Sequence, residues 1–368
     1  EVANLRKICD EIFGEENLIV QICHKARGSV SNDKIISPNH NHILLYAKNY
    51  LEIFKLRNQI GLDPDLEGFS NEDNDPRGPY KLTPVDGPGG ERKGNPYYEF
   101  LGVEGYFRYS KETMENLYNE GVIVKRGNSL LRKYYLEDAK KRRKTDTSWW
   151  DNVGYTSTAT SRLKKIMESN VFNSPKPVDL ILRMLKLFVT FDKEAIILDF
   201  FSGSATTAHA VMQFNAEDNG NRKFIMIQLP EIIDEKSEAY NAGYKNICEI
   251  GKERIRRAGE QIIKETGKED LDIGFRVFKL DSSNIKLWDP ETENLEQDLF
   301  ELQDNIKEGR TKEDLLYEIL LKIGIPLTTP IEEVKVNDKV IYNVGFGGVL
   351  LCLEDEIDLD IVHEMIKL

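Results

Sequence analysis

Cysteine and long apolar runs are both scarce in this sequence. Four cysteines occur in 368 residues, and no two of them form a CxxC pair. They are Cys9, Cys23, Cys248 and Cys352. This scatter argues against a disulfide framework and a metal cluster, and it favours a reducing compartment, the cytoplasm. No apolar stretch is long enough to cross a bilayer and nothing resembles a signal peptide, so we expect no membrane partner.

Positive charge is also in short supply. Lys and Arg total 50 against 63 Asp and Glu, a formal net charge of −13, which argues against indiscriminate binding to nucleic acid. The exception is the aromatic and basic region 97–150. Charge alone leaves two interpretations open: a solvated surface, or a face that contacts phosphates while aromatic rings stack on bases. Under the second interpretation the DNA contacts are Lys133, Lys140, Lys141, Arg142, Arg143 and Lys144.

Histidine is rare, with five residues, yet two of them lie close together in "SPNHNHILLYAKN". His40 and His42 would share one face of a strand, because successive side chains alternate. No third ligand lies nearby in the sequence, so a structural or polar role at the strand end is favoured over metal binding. We therefore predict no metal site.

The length predicts two or three domains. Near-continuous apolar runs in "NLIVQICH" and "HILLYAKN" favour interior strands of a mostly parallel sheet. Residues 62–94 are rich in Gly, Pro, Asp and Asn, and this composition predicts an irregular loop. The helical patterns at both ends lack a cap or a stop signal, so we expect the chain to be a piece of something larger.

The stretch "IILDFFSGSATTAHAV", residues 196–211, has the pattern of a strand, a tight turn and a helix. Such a turn points backbone N–H groups and the positive end of the helix dipole at a ligand. It lacks the lysine of a P-loop and the GxGxxG of a dinucleotide site. A nucleoside-type ligand remains, with a carboxylate at Asp199 and with Glu231 placed for ribose hydroxyls. S-adenosylmethionine suits this combination, and a purely structural turn is the alternative.

Several segments together carry a family resemblance. "DFFSGSATTAHAV" resembles the D-x-F-x-G-S-G-T-T cofactor motif of amino-group DNA methyltransferases, "FNSPKP" their F-x-x-P-K-P motif, and "RKFIMIQLPE" their ribose-binding strand. Their late position resembles the β group, in which the catalytic half comes first, target recognition second and the cofactor half last. "GFRVFKLDSSNIKLWDP" and "KEDLLYEILLKIGIPL" resemble the modification subunits of type III restriction–modification systems.

The resemblance implies an α/β fold. It would be a Rossmann-like, S-adenosylmethionine-dependent methyltransferase sheet, incomplete in this chain, with an inserted target-recognition region and a small α+β C-terminal domain. The implied parts are a part of the catalytic half (1–61), the target-recognition region (62–150), the cofactor half (151–275) and an assembly domain (276–368). The implied activity is adenine-N6 methylation of a flipped base in duplex DNA. The implied partners are double-stranded DNA, a second copy of the chain and a restriction subunit with helicase and nuclease activity.

The same resemblance assigns cofactor contacts residue by residue. Lys176 and Pro177 would approach the methionine end of the cofactor, and Glu231 its ribose. The turn would contribute Asp199, Phe201, Gly203, Ser204 and Thr206. Ala205 stands where the family has glycine, and an alanine with positive φ would cost roughly 1 kcal/mol or more. We expect cofactor binding to survive this change.

The family's catalytic motif, [DNS]-P-P-[YFW], is missing from this sequence. Its polar side chain and a proline carbonyl orient the adenine amino group, and its aromatic ring stacks on the flipped base. Asp75, Asn95 and Asp289 begin the nearest matches, and none of them fits. We therefore expect the chain to be N-terminally truncated and inactive by itself. The alternative function is a catalytically incomplete module that only binds DNA or a partner.

Overall fold

A computed structural model describes residues 1–30, 32, 35–286 and 305–368. The chain divides into two units, residues 1–275 and residues 276–368, each with its own internal packing. Within the described ranges, no helix combines the length and the apolar character needed to span a membrane.

The first two strands form an antiparallel hairpin. After α1 (Val2–Phe13), β1 (Leu18–Lys25) pairs along its length with β2 (His40–Tyr46). On its other edge, β1 pairs in parallel with the two-residue β8 (Trp149–Trp150). The prediction of a mostly parallel arrangement is therefore wrong for this pair. Parallel neighbours need a crossover, usually a helix, and the described part of the connection between β1 and β2 contains none.

The middle region, residues 62–150, is built from short antiparallel strands. β7 (Ser129–Tyr135) lies between β3 (Tyr80–Pro84) and β6 (Ile123–Arg126), and β4 (Tyr97–Phe100) pairs with β5 (Val103–Tyr106). The helices in and before this region are α2 (Tyr50–Lys55), α3 (Lys111–Asn119) and α4 (Leu136–Lys140). The core of the region consists of Val85, Phe100, Phe107, Met114, Ile123 and Leu130.

The strand, turn and helix predicted around residue 199 are present. β9 (Ile196–Asp199) runs parallel to β10 (Lys223–Met226), and α7 (Thr206–Asp218) connects them. Helix α7 is buried along almost its whole length, because other helices pack on both of its sides. The helices that pack on α7 are α6 (Val178–Phe188) and α9 (Ile247–Thr266). The other helices of residues 151–275 are α5 (Thr156–Met167) and α8 (Glu238–Asn241).

Strands β9 and β10 have one covered and one open face. Ile197 and Phe224 pack against the helices, whereas Ile196 and Leu198 are 66% and 55% exposed on the other side. The mixed α/β class is confirmed. In the part of the chain that the structure describes, the strands form several small sheets, of which this parallel pair is one, and a full Rossmann-like sheet stays a prediction.

The second unit is a small helix and sheet assembly. Its elements are α10 (Lys312–Lys322), β11 (Ile331–Val336), β12 (Lys339–Val344), β13 (Val349–Cys352) and α11 (Leu359–Lys367). The three strands form an antiparallel sheet with β12 in the centre. Thr311 and Asp314 form a capping box at the start of α10, which satisfies backbone donors that the first turn of a helix leaves free. Leu316, Leu320 and Tyr342 pack together in the core of this unit.

Candidate functional site

The turn between β9 and α7 is held at both ends by the side chain of Asp199. Its Oδ2 atom accepts a hydrogen bond of 2.6 Å from the hydroxyl of Thr207, and Oδ1 accepts one of 3.4 Å from the backbone N–H of Phe201. Strand end and helix start are therefore connected by one carboxylate. Gly203 has a positive φ of 51° within the turn, the conformation that glycine adopts without steric cost.

The two sequence segments assigned to the cofactor meet at this turn. A Cβ atom at Gly203 would lie 3.2 Å from Cζ of Phe172, the first residue of "FNSPKP". The hydroxyl of Thr206 donates a hydrogen bond of 3.3 Å to the carbonyl of Lys176. Pro177 is buried, whereas the Lys176 side chain is exposed. The chain thus brings Gly203, Thr206, Lys176 and Pro177 to one place.

Gln228 contacts the turn and was not predicted as a site residue. Its Oε1 atom accepts a hydrogen bond of 2.8 Å from the backbone N–H of Gly203. The thiol of Cys248 donates to the Gln228 carbonyl at 3.3 Å. Gln228 follows the carboxyl end of β10, and ligands of parallel sheets bind at that edge. This position was the one sequence signal that could have identified it.

Arg254 is the second residue that sequence reasoning missed. It is 2% exposed, and its Nη1 atom donates to the Ser204 carbonyl at 3.2 Å, the Ser204 hydroxyl at 2.8 Å and the Thr206 hydroxyl at 2.7 Å. Its Nε atom has no hydrogen-bond partner among the described residues. Burial, with a smaller contribution from the charge of Arg162, lowers the pKa of Arg254 to about 10. A buried guanidinium without a carboxylate favours a nearby anionic group.

A crevice at Lys176 and Arg254 is positively charged, which suits an anionic group. Its lining includes the cations of Arg162, Lys176 and Arg254 and the carboxylate of Asp179, and Arg162 contacts that carboxylate at 3.3 Å. The nearby His209 is neutral, because burial, and then the charges of the two arginines, lower its pKa to about 3. The crevice therefore presents net positive charge, which favours an anionic group.

The remaining predicted cofactor residues are placed differently from one another. Phe201 is 74% exposed next to Phe200, and their ring centroids lie 5.4 Å apart. An exposed ring at the edge of the turn can stack on a planar group. Glu231 is exposed and lies five residues beyond the end of β10 at Met226. No hydrogen bond in the described structure joins the Glu231 carboxylate to the turn.

Ala205 adopts the conformation in which alanine is costly, with φ 58° and ψ 42°. Replacing it by glycine relieves about 1 kcal/mol of backbone strain and loses a buried methyl group that contributes about 0.8 kcal/mol. We expect Ala205→Gly to leave the free energy of unfolding nearly unchanged and the affinity for S-adenosylmethionine within tenfold, as measured by denaturation and calorimetry. Phe346→Gly is the control, because Phe346 has φ 56° and is 88% exposed. It should show the relief of backbone strain without the loss of a buried side chain.

The six predicted DNA contacts do not form one free surface. Lys133 is 6% exposed, and its ammonium group contacts Asp73 at 2.5 Å and Asp75 at 2.7 Å. Arg143 binds Asp63 and the carbonyl of Gly61. Lys133 and Arg143 are thus held by acidic or carbonyl partners within the protein. The four that are exposed are Lys140, Lys141, Arg142 and Lys144.

The residues that began the nearest matches to the catalytic motif have structural contacts. Asp75 is 6% exposed and accepts hydrogen bonds from Arg77, Lys133 and the Tyr135 hydroxyl. The Asn95 amide donates to two carbonyls in its own loop. The third candidate, Asp289, lies outside the described residues. The contacts of Asp75 and Asn95 are those of loop and core stabilisation.

The buried cluster around Asp75 predicts a pH dependence. Hydrogen bonds from Arg77, then Lys133, hold the pKa of the Asp75 carboxyl well below its usual 3.8. A depressed pKa contributes stability that is present above 3.8 and lost as the pH falls below it. We expect Asp75→Asn to lower the urea midpoint, and we expect its difference from wild type to shrink between about pH 5 and pH 3. Urea denaturation followed by circular dichroism at each pH measures the two midpoints. Asp86→Asn, at an exposed residue, is the control.

Comparisons with known proteins identify the family of the chain. The sequence profile of the DNA methylase family, covering N6 and N4 methyltransferases, matches residues 1–256. The chain is 30% identical over 294 residues to the type III restriction–modification enzyme StyLTI Mod subunit of Salmonella typhimurium, covering 76% of this chain and 44% of that subunit. It is 30% identical over 378 residues to the EcoPI Mod subunit of Escherichia phage P1, covering 92% of this chain and 57% of that subunit.

A further relative comes from another class of system. The type II methyltransferase M.KpnI of Klebsiella pneumoniae is 29% identical over 287 residues, covering 69% of this chain and 66% of the relative. The chain spans about half the length of the type III subunits that it matches. These matches confirm the resemblance derived from the cofactor motifs. Because the family profile covers well over half of its residues, the chain belongs to the DNA methylase family.

Proposed function

We propose that this chain carries the cofactor-binding and target-recognition parts of an adenine-N6 DNA methyltransferase of a type III-like restriction–modification system. The observation that carries the proposal is the turn at residues 199–206, fixed by Asp199, Gln228 and Arg254 and joined to the "FNSPKP" segment. Family membership supports methyl transfer. The choice of adenine is supported by the similarity to type III Mod subunits.

In this proposal the turn binds S-adenosylmethionine, which supplies an electrophilic methyl group when bound. The cationic crevice at Lys176 and Arg254 holds the carboxylate of its methionine part. Phe201 provides an exposed ring for the adenine part, and Glu231, in the segment after β10, provides a carboxylate for the ribose hydroxyls. Asp199 keeps its hydrogen bonds to the start of α7 and so holds the turn in a single geometry for binding.

Catalysis in this family depends mainly on positioning. Held by the turn and by the crevice at Lys176 and Arg254, the cofactor would supply its methyl group for in-line transfer to the adenine amino group, whose proton would pass to solvent. The residues of this chain fix the methyl donor in that geometry. This sequence contains no match to the [DNS]-P-P-[YFW] motif, which orients the amino group, and we propose that a separate polypeptide segment supplies it.

Methyl transfer provides the direct test. The chain is incubated with tritiated S-adenosylmethionine and duplex DNA, with and without a polypeptide that supplies the missing motif and its strand. We expect cofactor binding in both mixtures and labelled DNA only in the complemented one. Transfer by the chain alone would refute our statement that it lacks the catalytic group. Intact cofactor binding without any transfer after complementation would favour a module that only binds DNA or a partner.

Within residues 140–144, the exposed basic side chains that form no hydrogen bond or ion pair with the described residues make up the proposed DNA-contacting face, and Lys140 is left out because its ammonium group contacts Glu137 at 2.7 Å. Lys141, Arg142 and Lys144 are exposed next to one another, and the Arg142 guanidinium lies 5.9 Å from the centroid of the Tyr134 ring. Cations beside an aromatic ring suit a phosphate backbone and its bases. We exclude Lys133 and Arg143 from this face, because their hydrogen bonds are made within the protein.

Reversal of charge on this face should weaken DNA binding. We expect Lys141→Glu combined with Arg142→Glu to lower affinity roughly tenfold and to flatten the dependence of log affinity on log salt by about two phosphate contacts. Lys164→Glu with Lys165→Glu, two exposed lysines of α5, is the matched control. Fluorescence anisotropy across a salt series measures both pairs. Equal affinities of the two double variants for DNA would mean that residues 141 and 142 form a solvated surface and do not contact DNA.

The assembly of the protein is also a proposal. The second unit, residues 276–368, is proposed to support a homodimer or the docking of a restriction subunit. The loop between β13 and α11 is acidic, with Asp355 and Glu356 exposed and Glu354 paired with Lys312, and such a loop is unsuited to DNA. We place the protein in the cytoplasm, where such a system meets its DNA.

A further inference from the structure

The outward face of the N-terminal hairpin brings together three metal-ligand side chains that the proposed function does not use. His40 and His42 lie two residues apart in β2, so both rings point to the same face. In the antiparallel register, Cys23 of β1 is directly opposite His42. Strand pairing therefore provides the third ligand that was not found near the histidines in the sequence.

The three side chains are close enough to share one ion. One ligand atom from each residue lies within 4.8 Å of the other two, and the two imidazole rings stand edge to face with centroids 4.9 Å apart. In a tetrahedral zinc site with one sulfur and two nitrogens, neighbouring ligand atoms lie about 3.3–3.6 Å apart. Rotation of the side chains can provide this contraction, because both histidines are exposed and Cys23 is partly exposed.

Gln21 and Lys25 lie next to the cluster. The Gln21 amide lies 3.0 Å from Nδ1 of His42. After an amide flip its oxygen would accept the Nδ1 proton, which orients the ring and leaves Nε2 for the metal. Lys25 is opposite His40. Its ammonium group lies 6.0 Å from the centroid of the Tyr155 ring, which is within the range of a cation–π contact.

We propose that Cys23, His40 and His42 form a binding site for a divalent transition metal, with Zn²⁺ as the fitting ion. A thiolate and two imidazoles suit zinc and cobalt, whereas Mg²⁺ and Ca²⁺ prefer oxygen ligands. The exposed fourth position is filled by water. The bound ion connects β1 to β2 across the hairpin, so it stabilises the folded state by mass action.

Titration of the complete chain with Co²⁺, followed by absorption spectroscopy, tests the site. We expect one equivalent to bind with a thiolate-to-cobalt charge-transfer band, because Cys23 loses its proton and coordinates through sulfur. Zn²⁺ should displace the cobalt and abolish the band. Cys23→Ser should remove the band. His42→Ala should weaken Zn²⁺ binding at least about 100-fold, because even outer partners of metal ligands contribute 10–100-fold.

Matched variants keep the test decisive. Cys352→Ser alters a cysteine that is likewise partly exposed but lies in the second unit, and it should keep both the band and the affinity. His40→Gln changes an exposed side chain, so we expect this variant to fold. It therefore tests the site even if circular dichroism shows that Cys23→Ser or His42→Ala is unfolded. Failure of the folded wild-type chain to give the band, or an undiminished affinity in Cys23→Ser and His40→Gln, would overturn the proposal.

Discussion

Replacement of Arg254 by methionine is expected to weaken binding of S-adenosylmethionine roughly 30- to 150-fold, a loss of about 2–3 kcal/mol. The guanidinium is the common donor to the Ser204 carbonyl, the Ser204 hydroxyl and the Thr206 hydroxyl. Methionine retains a long apolar stem for packing in α9 but cannot donate, so the turn loses its orientation. Burial already lowers the pKa of Arg254 to about 10. The folded state therefore carries this charge at a cost, and we expect unfolding free energy to change less than binding free energy.

Two further variants separate the hydrogen bonds from the charge. Arg254→Lys keeps the charge but not the planar donor geometry, so its affinity should fall between wild type and Arg254→Met. Arg256→Met makes the same change at an exposed arginine of the same helix and should bind normally. Isothermal titration calorimetry measures all three. Wild-type affinity in Arg254→Met would show that the turn keeps its shape without these bonds.

The parts of the site that are local in sequence were predictable. The turn joins a short apolar strand to a helix, and Asp199 reaches Thr207 only eight residues away. Steric demands of such a turn leave a recognisable pattern of small residues. The sequence therefore predicted β9, α7 and most of the residues between them. The φ of Ala205 could not be predicted in the same way. Alanine is also common in the first turn of a helix, where φ is negative, so the sequence left the sign of φ open until the structure showed it to be positive.

The residues that sequence reasoning missed act across long separations. Gln228 bonds to Gly203 across 25 positions and Arg254 to Ser204 across 50. Such contacts depend on how β10 pairs with β9 and how α9 packs against α7, which no local pattern encodes. Lys133 shows the converse: it belongs to a basic run in sequence, yet strand alternation turns it inward to Asp75. Composition predicted a basic region, and the register of β7 shows that Lys133 does not belong to its exposed surface.

Replacement of Gly203 by valine is expected to destabilise the chain by about 2–3 kcal/mol and to reduce cofactor binding below detection. The φ of 51° is strongly unfavourable for a β-branched residue. The new side chain also meets the Phe172 ring, because even a Cβ atom would lie 3.2 Å from its Cζ. Both effects displace the backbone N–H that donates to Gln228. Urea denaturation and calorimetry measure the two losses.

A glycine elsewhere in the chain separates strain from contact. Gly127 has φ 58°, and a Cβ atom there would meet nothing within 4 Å among the described atoms. Gly127→Val should therefore show the backbone cost alone and leave cofactor binding unchanged. If the Phe172 contact matters, Phe172→Ala should recover part of the stability lost in Gly203→Val, which a double-mutant cycle measures. Equal losses for the two glycine variants, with cofactor binding retained in both, would mean that the turn tolerates a side chain and that its glycine serves the fold alone.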